Sequence, residues 1–436
     1  MTSSFNYRQE GNKIFQSINS ILRPLIFVSR LNEAQKLYNH ALAEARDNVD
    51  FSSACKNLFI VSYKFQKFYS TREFNVQKID FYCEMAQKYA SDALEYGINE
   101  QSYEWLAKIK LNAKEAFSFY YESILSQSYE KRIKALIKVL KSSTKEICAL
   151  IQYRICECYF RLSGQLMNSN FVEKALATNY ECDYHYEESL KFSKDNYKMT
   201  QTLEELKNDY ILQRFTLEGL KSKNIGHNLL HDCINNHEDL NLEQIWDIVD
   251  WFRDAIDKLK GKDVESEAEL SSDIAYVYDE ILKIKDKAKS YYQLSWHLAD
   301  SLRPKIFTRL KWYQRCAQAI ERYQQEKLEQ ERQSYEAQRE QVFGQIKDDI
   351  EKLRNKAKDG YYDFLPFIYS NYPPKNPKHT FSGNLNPTNL KKSIQTAIYH
   401  YHPDKNSSAL YGNAWFFTAD EITKILTNFY EKLKDT

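Results

Sequence analysis

Close to its end the chain carries Tyr401-His402-Pro403-Asp404-Lys405-Asn406. Proline pushes the residue before it out of the helical region, so His402 is expected to be extended and Asp404 to sit on an exposed turn. The turn should follow a helix. Asn386 is a good N-cap and Pro387 suits a first helical position, and Leu390, Ile394, Ala397, Ile398 and Tyr401 then fall on one side of a helix ending at Tyr401. A carboxylate held rigidly at such a turn suits a charge-assisted hydrogen bond to an arginine on another protein. That is recognition chemistry; no bond is made or broken.

Other candidate constellations are weaker. His227 and His231 lie four apart, with Cys233 and His237 close by, at a spacing that could hold a metal. The zinc-protease pattern needs Glu after the first histidine, however, and Asn228 stands there. Capping or surface histidines are the simpler expectation. Cys156 and Cys158 are two apart on a helix and so face different ways, which argues against joint ligation. The eight cysteines show neither a CxxC nor a regular framework and read as buried thiols of a reducing compartment, the cytoplasm. Neither a phosphate loop, a dinucleotide fingerprint nor a nucleophile elbow occurs. The expectation is a protein that is not an enzyme, with no catalytic residue, no metal and no cofactor.

The elements that would position the turn are helical. Of 436 residues only 10 are Gly and 8 are Pro, about 4% against roughly 12% in an average soluble protein. Hairpins and phosphate loops draw on these two residues, so a β-rich fold or an ordinary α/β nucleotide enzyme is excluded. The balance of 61 basic against 60 acidic residues shows no stripe suited to nucleic acid, and no run approaches the roughly 20 apolar residues that span a bilayer. Neither nucleic acid nor membrane is expected as a partner. Six of the eight prolines follow Gly360, which marks a boundary. Three regions result: 1–304, 305–358 and 359–436.

Residues 1–304 read as helix after helix, with apolar spacing clearest in 79–94, 147–162, Leu242–Leu259 and 268–284. Small–large–small triplets recur at i, i+4, i+7, as in Ala34-Tyr38-Ala41, Ala116-Tyr120-Ser123 and Ala288-Tyr292-Ser295; Ala86-Ala90-Ala93 keeps the spacing without the bulk. Small residues let a neighbouring helix approach while tyrosine fills the groove. The spacing resembles the second helix of tetratricopeptide repeats, and Ala275 with Tyr278 precedes Ala288 as a first helix would. The triplets keep no uniform 34-residue period, so the resemblance implies an irregular helical-hairpin solenoid; an ordinary helical bundle is the alternative. Trp246, Trp251, Trp296 and Trp312 read as core.

Residues 305–358 read as one long helix, polar in its second half, with Glu329–Arg332, Glu336–Arg339, Asp348–Lys352 and Glu351–Arg354 at pairing distance along it. Continuous over that span, it would be roughly 80 Å long and hold the two ends of the protein apart. Leu328, Tyr335 and Val342 form a stripe continuing through Ile346, Ile350 and Leu353. It could seat a partner helix as a short coiled coil, but a solvated spacer folded back on its own solenoid is the preferred reading.

The last 75 residues or so resemble a J-domain, the module by which DnaJ-type co-chaperones switch on the ATPase of seventy-kilodalton heat-shock chaperones. The resemblance rests on His402-Pro403-Asp404, its preceding helix, the flanking Tyr401 and Lys405-Asn406, and Tyr361-Tyr362-Asp363-Phe364-Leu365, which looks like the family's first-helix opening. By that resemblance His402, Pro403 and Asp404 engage the chaperone, Lys391 and Lys392 steer it, and Lys405 and Asn406 support the loop. Tyr361, Tyr362, Leu365, Leu390, Ile394, Ile398, Tyr401, Ile425 and Phe429 would form the core, closed by a helix over 420–433. The chain departs from the family in three places. About twenty residues, 366–385, intervene between the first two helices; Gln395, Thr396 and His400 stand where basic residues are usual; and no Gly/Phe-rich linker or zinc module follows.

Two functions are therefore expected as alternatives. In the first, a co-chaperone-like adaptor holds a client or assembly on its solenoid and recruits a heat-shock ATPase through the loop. In the second, a structural subunit of a stable complex, for instance cytoskeletal or ciliary, uses the divergent J-like domain only for interaction.

Overall fold

The computed structural model describes residues 2–193, 196–235, 241–381, 383 and 385–434, and every regular element among them is helical. Two compact units are present, Met1–Cys316 and Ala317–Thr436.

The first unit holds α1 (Ser3–Gln16), α2 (Pro24–Ala43), α3 (Asn48–Thr71), α4 (Val76–Gly97), α5 (Tyr103–Ser123), α6 (Tyr129–Leu140), α7 (Lys145–Asn168), α8 (Val172–Ser193), α9 (Tyr197–Asn235), α10 (Leu242–Leu259), α11 (Val264–Tyr276) and α12 (Lys285–Ser301). Starts are fixed by side-chain caps: Thr2, Asp47, Asn75, Ser102, Thr144, Asn241 and Asp263 each accept from a backbone amide of the first turn. Helices adjacent in sequence pack as hairpins, α1 on α2, α3 on α4, α7 on α8, α9 on α10 and α11 on α12, and each hairpin passes to the next. Apolar contacts accordingly run along the stack as successive clusters, as in other solenoids. Lengths from 12 residues in α6 to 39 in α9 exclude a uniform repeat. The unit is an irregular helical-hairpin solenoid.

The triplets do the packing expected of them. Ala34, Tyr38 and Ala41, Ala86, Ala90 and Ala93, and Ala288, Tyr292 and Ser295 are all buried, and so are Ala116 and Tyr120. The Tyr38 hydroxyl donates to Asn12 Oδ1 at 2.8 Å and that of Tyr120 to Asp80 Oδ1 at 2.9 Å, so each buried ring keeps a partner for its polar end. Gly11 lets α1 lie on Tyr38: a Cβ there would come within 2.6 Å of the ring. Trp312 is core as expected, and Trp296 is half-buried. Trp246 and Trp251 are not core, being 38% and 37% exposed. The inward face of α10 is Ile245, Ile248, Val249, Phe252, Ala255 and Leu259, and a residue one step off such a stripe is turned about 100° away.

α13 (Lys311–Ala357) crosses from the first unit into the second. It begins six residues later than the expected 305, because 305–310 are turn and irregular chain. The second unit adds α14 (Tyr361–Asn371), α15 (Leu390–Tyr401), α16 (Ser408–Tyr411) and α17 (Asn413–Lys432). Its compact body thus takes in most of the helix that sequence had set apart as a spacer ending at 358. The stripe on that helix is covered within the second unit. Tyr335, Val342, Ile346 and Ile350 pack on Phe416 and Phe417 of α17, and Leu353 enters the core beyond; Leu328 alone stays 65% exposed. Of the expected ion pairs Glu329–Arg332 closes at 2.9 Å. Arg339 and Arg354 turn instead to the buried Glu421 of α17, at 3.6 and 2.7 Å.

The core of this unit is Leu353, Phe364, Leu365, Ile368, Leu390, Ile394, Ala397, Tyr401, Ile422, Leu426 and Phe429, with Tyr361, Ile398 and Ile425 half-buried against it. Tyr362 is a correction: it is 43% exposed. A helix opening at Tyr361 buries 361, 364, 365 and 368, and 362 lies off that face. α14 also continues through Pro366 to Asn371, so the connection to α15 starts later than the expected 366. Gly412, at φ 78°, separates α16 from α17, which begins seven residues before the expected 420.

Candidate functional site

Two elements deliver the loop. α15 ends at Tyr401, whose buried ring fixes the direction of exit: its hydroxyl donates to the carbonyls of Ile368 at 3.2 Å and Tyr372 at 2.8 Å, satisfying the C-terminus of α14. Burial pushes the Tyr401 phenol well above its ordinary pKa, so it remains a donor. The start of α15 differs slightly from expectation. Asn386 Oδ1 accepts from the Asn389 amide at 2.9 Å and closes a turn before the helix proper.

His402 is extended, at φ −54° and ψ 134°, as the pre-proline rule requires, and Pro403-Asp404-Lys405 form one 3₁₀ turn. The Asp404 amide points at His402 Nδ1 at 3.3 Å, and the Asp404 carboxylate lies 3.6 Å from the same ring nitrogen. Asp404 is 84% exposed and His402 46%. Beneath them Asn406 is buried, donating from Nδ2 to the carbonyls of His400 at 2.9 Å and His402 at 3.1 Å. Its Oδ1 accepts from the Trp415 indole at 2.9 Å. The loop is therefore clamped from below with its carboxylate left bare.

The neighbouring residues divide into those that face outward and those that do not. Lys391, Lys392 and Lys405 are exposed, with Lys405 Nζ 5.6 Å from the Tyr399 ring and Lys391 Nζ 5.7 Å from that of Tyr430. Gln395 donates to the Tyr430 hydroxyl at 2.7 Å. His400 is turned inward; it shares a 2.6 Å hydrogen bond with Tyr369, and its ring stacks at 4.3 Å on His379 of the α14–α15 connection. Burial and that second imidazole lower its pKa. Trp415 and His379 were not singled out from sequence. Trp415 is the only tryptophan after 312, a faint signal, and His379 carried none.

The histidine cluster of the solenoid comes apart. His227 Nε2 meets Asp273 Oδ2 at 2.8 Å, whereas His231 is 76% exposed, Cys233 is half-buried and His237 lies outside the described residues. His227, Glu269 and Asp273 do bring potential donor atoms within 4.8 Å of one another. Lys223 on Glu269 and Arg315 on Asp273 already balance both carboxylates, which makes this an ion-pair network. Cys156 and Cys158 face separate clusters, as expected. Six cysteines are buried, but Cys148 and Cys233 are only half-buried, which corrects the reading of all eight as buried. Burial raises the Cys158 and Cys316 thiols to about 11.

The solenoid also offers a groove. A cavity of about 600 Å³ is lined by Phe117, Tyr121, Arg132, Arg154, Glu157 and Arg161, and it shares Lys114 and Leu150 with a second of about 600 Å³ reaching Thr144, Phe192 and Met199. None of the helices among the described residues is long and apolar enough to cross a membrane.

No family model matches the chain, and no curated protein matches it. Among solved structures it is similar to a circular tandem repeat protein with novel repeat topology and enhanced subunit contact surfaces. The identity is 10% over 99% of this chain and 98% of that one, with a TM-score of 0.18. A likeness at that score carries no argument about this protein.

Proposed function

We propose that the protein is a co-chaperone-like adaptor: the C-terminal unit recruits and stimulates a heat-shock ATPase through His402, Pro403 and Asp404, while the solenoid holds a client or assembly. The reading rests on one observation, the bare Asp404 carboxylate on a turn fixed by Asn406, Trp415 and Tyr401. A carboxylate that were merely structural would be paired or buried; one left exposed on a rigid support is pre-organised for a partner's guanidinium. The solenoid groove, apolar and cationic by turns, suits an extended protein segment. No chemical step falls to this chain; the partner hydrolyses ATP.

A second reading keeps the loop as an interaction module in a stable complex, cytoskeletal or ciliary for example. It is favoured by the outer face of α15, where Gln395 and Thr396 stand in place of charge. One assay separates the two. The purified chain is added to a heat-shock ATPase in single-turnover hydrolysis, beside His402→Gln. Acceleration by the chain and its loss in His402→Gln support the adaptor. No acceleration, or an unaffected variant, supports the structural subunit.

A further inference from the structure

Charge in the second unit is segregated by position. From Asp363 to Asp404 the chain carries four lysines, Lys375, Lys378, Lys391 and Lys392, and no acidic residue between them. Lys405 follows directly. The acids Asp420 and Glu421 are engaged elsewhere: Asp420 with Tyr335 and Lys424, Glu421 with Arg339 and Arg354. Among the described residues none of the five lysines is ion-paired.

The connection between α14 and α15 does not stand away from the loop. It returns to it at two points. Lys375 Nζ lies 4.9 Å from the Trp415 ring, the same indole that holds Asn406 beneath Asp404. Four residues on, His379 stacks on His400 at 4.3 Å and approaches Tyr399 at 5.8 Å, beside Lys405. Phe381 secures the segment by stacking on Tyr369 at 4.9 Å. Lys378, between these anchors, is exposed.

We infer that this connection is a recognition element, which supplies Lys375 and Lys378 to a cationic flank of the 402–406 loop, beside Lys405, and replaces the charge that α15 lacks at Gln395 and Thr396. The partner surface it fits is acidic protein with an arginine at its centre. Lysines flanking a carboxylate match carboxylates flanking a guanidinium, whereas a uniform polyanion would meet Asp404 as a like charge. The inference rests on the adaptor reading and names the surface of the chaperone ATPase that the loop must meet. Exposed lysines act mainly through long-range attraction, so they set the concentration needed for docking and its salt dependence.

The test uses the full chain. ATPase stimulation is titrated at low and at high salt for wild type, for Lys375→Ala/Lys378→Ala and for Asp404→Asn. The double variant is expected to need about tenfold more chain for half-maximal stimulation at low salt, to approach wild type at high salt, and to reach the same plateau. A structural role for the lysines would lower the plateau and leave the salt dependence intact, and that result overturns the inference. So does a double variant that titrates like wild type while Asp404→Asn is inert; the adaptor reading then stands alone. Wild-type chain without any Asp404-dependent stimulation removes both. A double variant that stimulates normally but no longer binds phosphatidylserine vesicles assigns the lysines to a lipid surface and likewise overturns it.

Discussion

Asp404 and Glu421 belong to the same small unit, sit seventeen residues apart, and are treated in opposite ways. Glu421 is 9% exposed and held by two arginines of α13, at 2.7 and 3.6 Å. Asp404 is 84% exposed, its nearest titratable neighbour being His402 at 3.6 Å. The first is where the chain uses charge to hold itself together; the second is where charge is kept available. Burial and pairing turn a carboxylate into a structural tie. A rigid support that leaves it exposed, beside a single imidazole, keeps it free to meet another group. The contrast extends to whole regions, since the α13–α17 seam is cross-linked over a buried apolar stripe while the 402–406 loop is clamped from beneath with Asp404 exposed.

The largest effect is expected on the seam side. Leu353 is fully buried in the core of the second unit, and Leu328, on the same stripe of α13, is 65% exposed. Leu353→Ala should lower the opening free energy of α17 amides by about 3 kcal/mol, through lost transfer energy and the cavity left behind. Leu328→Ala should change it by less than about 0.5 kcal/mol. Hydrogen exchange on the full chain reads both. Equal protection in the two variants would mean that α13 does not belong to this core.

Glu421→Ala comes next. Removing one partner of a buried pair leaves the others uncompensated, but Arg354 is 59% exposed and keeps much of its hydration. The cost is therefore at the low end for such pairs, about 2 kcal/mol in the same exchange measurement. It should shrink when Arg339 and Arg354 are also replaced by Met, because the cations then no longer need the carboxylate. Additive losses in the triple variant would place the stabilisation elsewhere than in the pair.

What sequence could and could not reveal follows from the range of the forces. The pre-proline rule acts between neighbours, and His402 is extended as it demands. The triplets act one helical turn away, and Tyr38, Tyr120 and Tyr292 are buried where the spacing put them. Errors begin where rotational phase or a distant partner decides. Tyr362, expected inside by the family resemblance, and Trp246, expected inside by its helical pattern, lie one step off their helices' inward faces, and phase puts both out. Arg354 had Glu351 within reach on its own helix, but its partner is Glu421, 67 positions away. His379 returns to His400 across a connection whose sequence shows no pattern. The loop was legible because its geometry is local, and its surroundings were not, because they are assembled from three segments.

On the adaptor reading, the smallest structural effect should accompany the complete loss of ATPase stimulation. Asp404→Asn keeps the side chain's size and its place on the 3₁₀ turn, and no buried group depends on the carboxylate. Protection of α15 and α17 amides should stay within about 0.5 kcal/mol of wild type, as for other exposed substitutions. The amide, however, offers a guanidinium one neutral acceptor in place of a bidentate anion. ATPase stimulation should therefore fall to the level without added chain, at every concentration and salt. A stability loss of 2 kcal/mol or more would show that Asp404, like Glu421, ties the unit together, with the estimate for such ties as the yardstick. Unchanged stability with undiminished stimulation would leave the bare carboxylate without a role in docking. Only the combination of an intact fold and a silent loop keeps the two carboxylates in the separate classes that their exposure assigns.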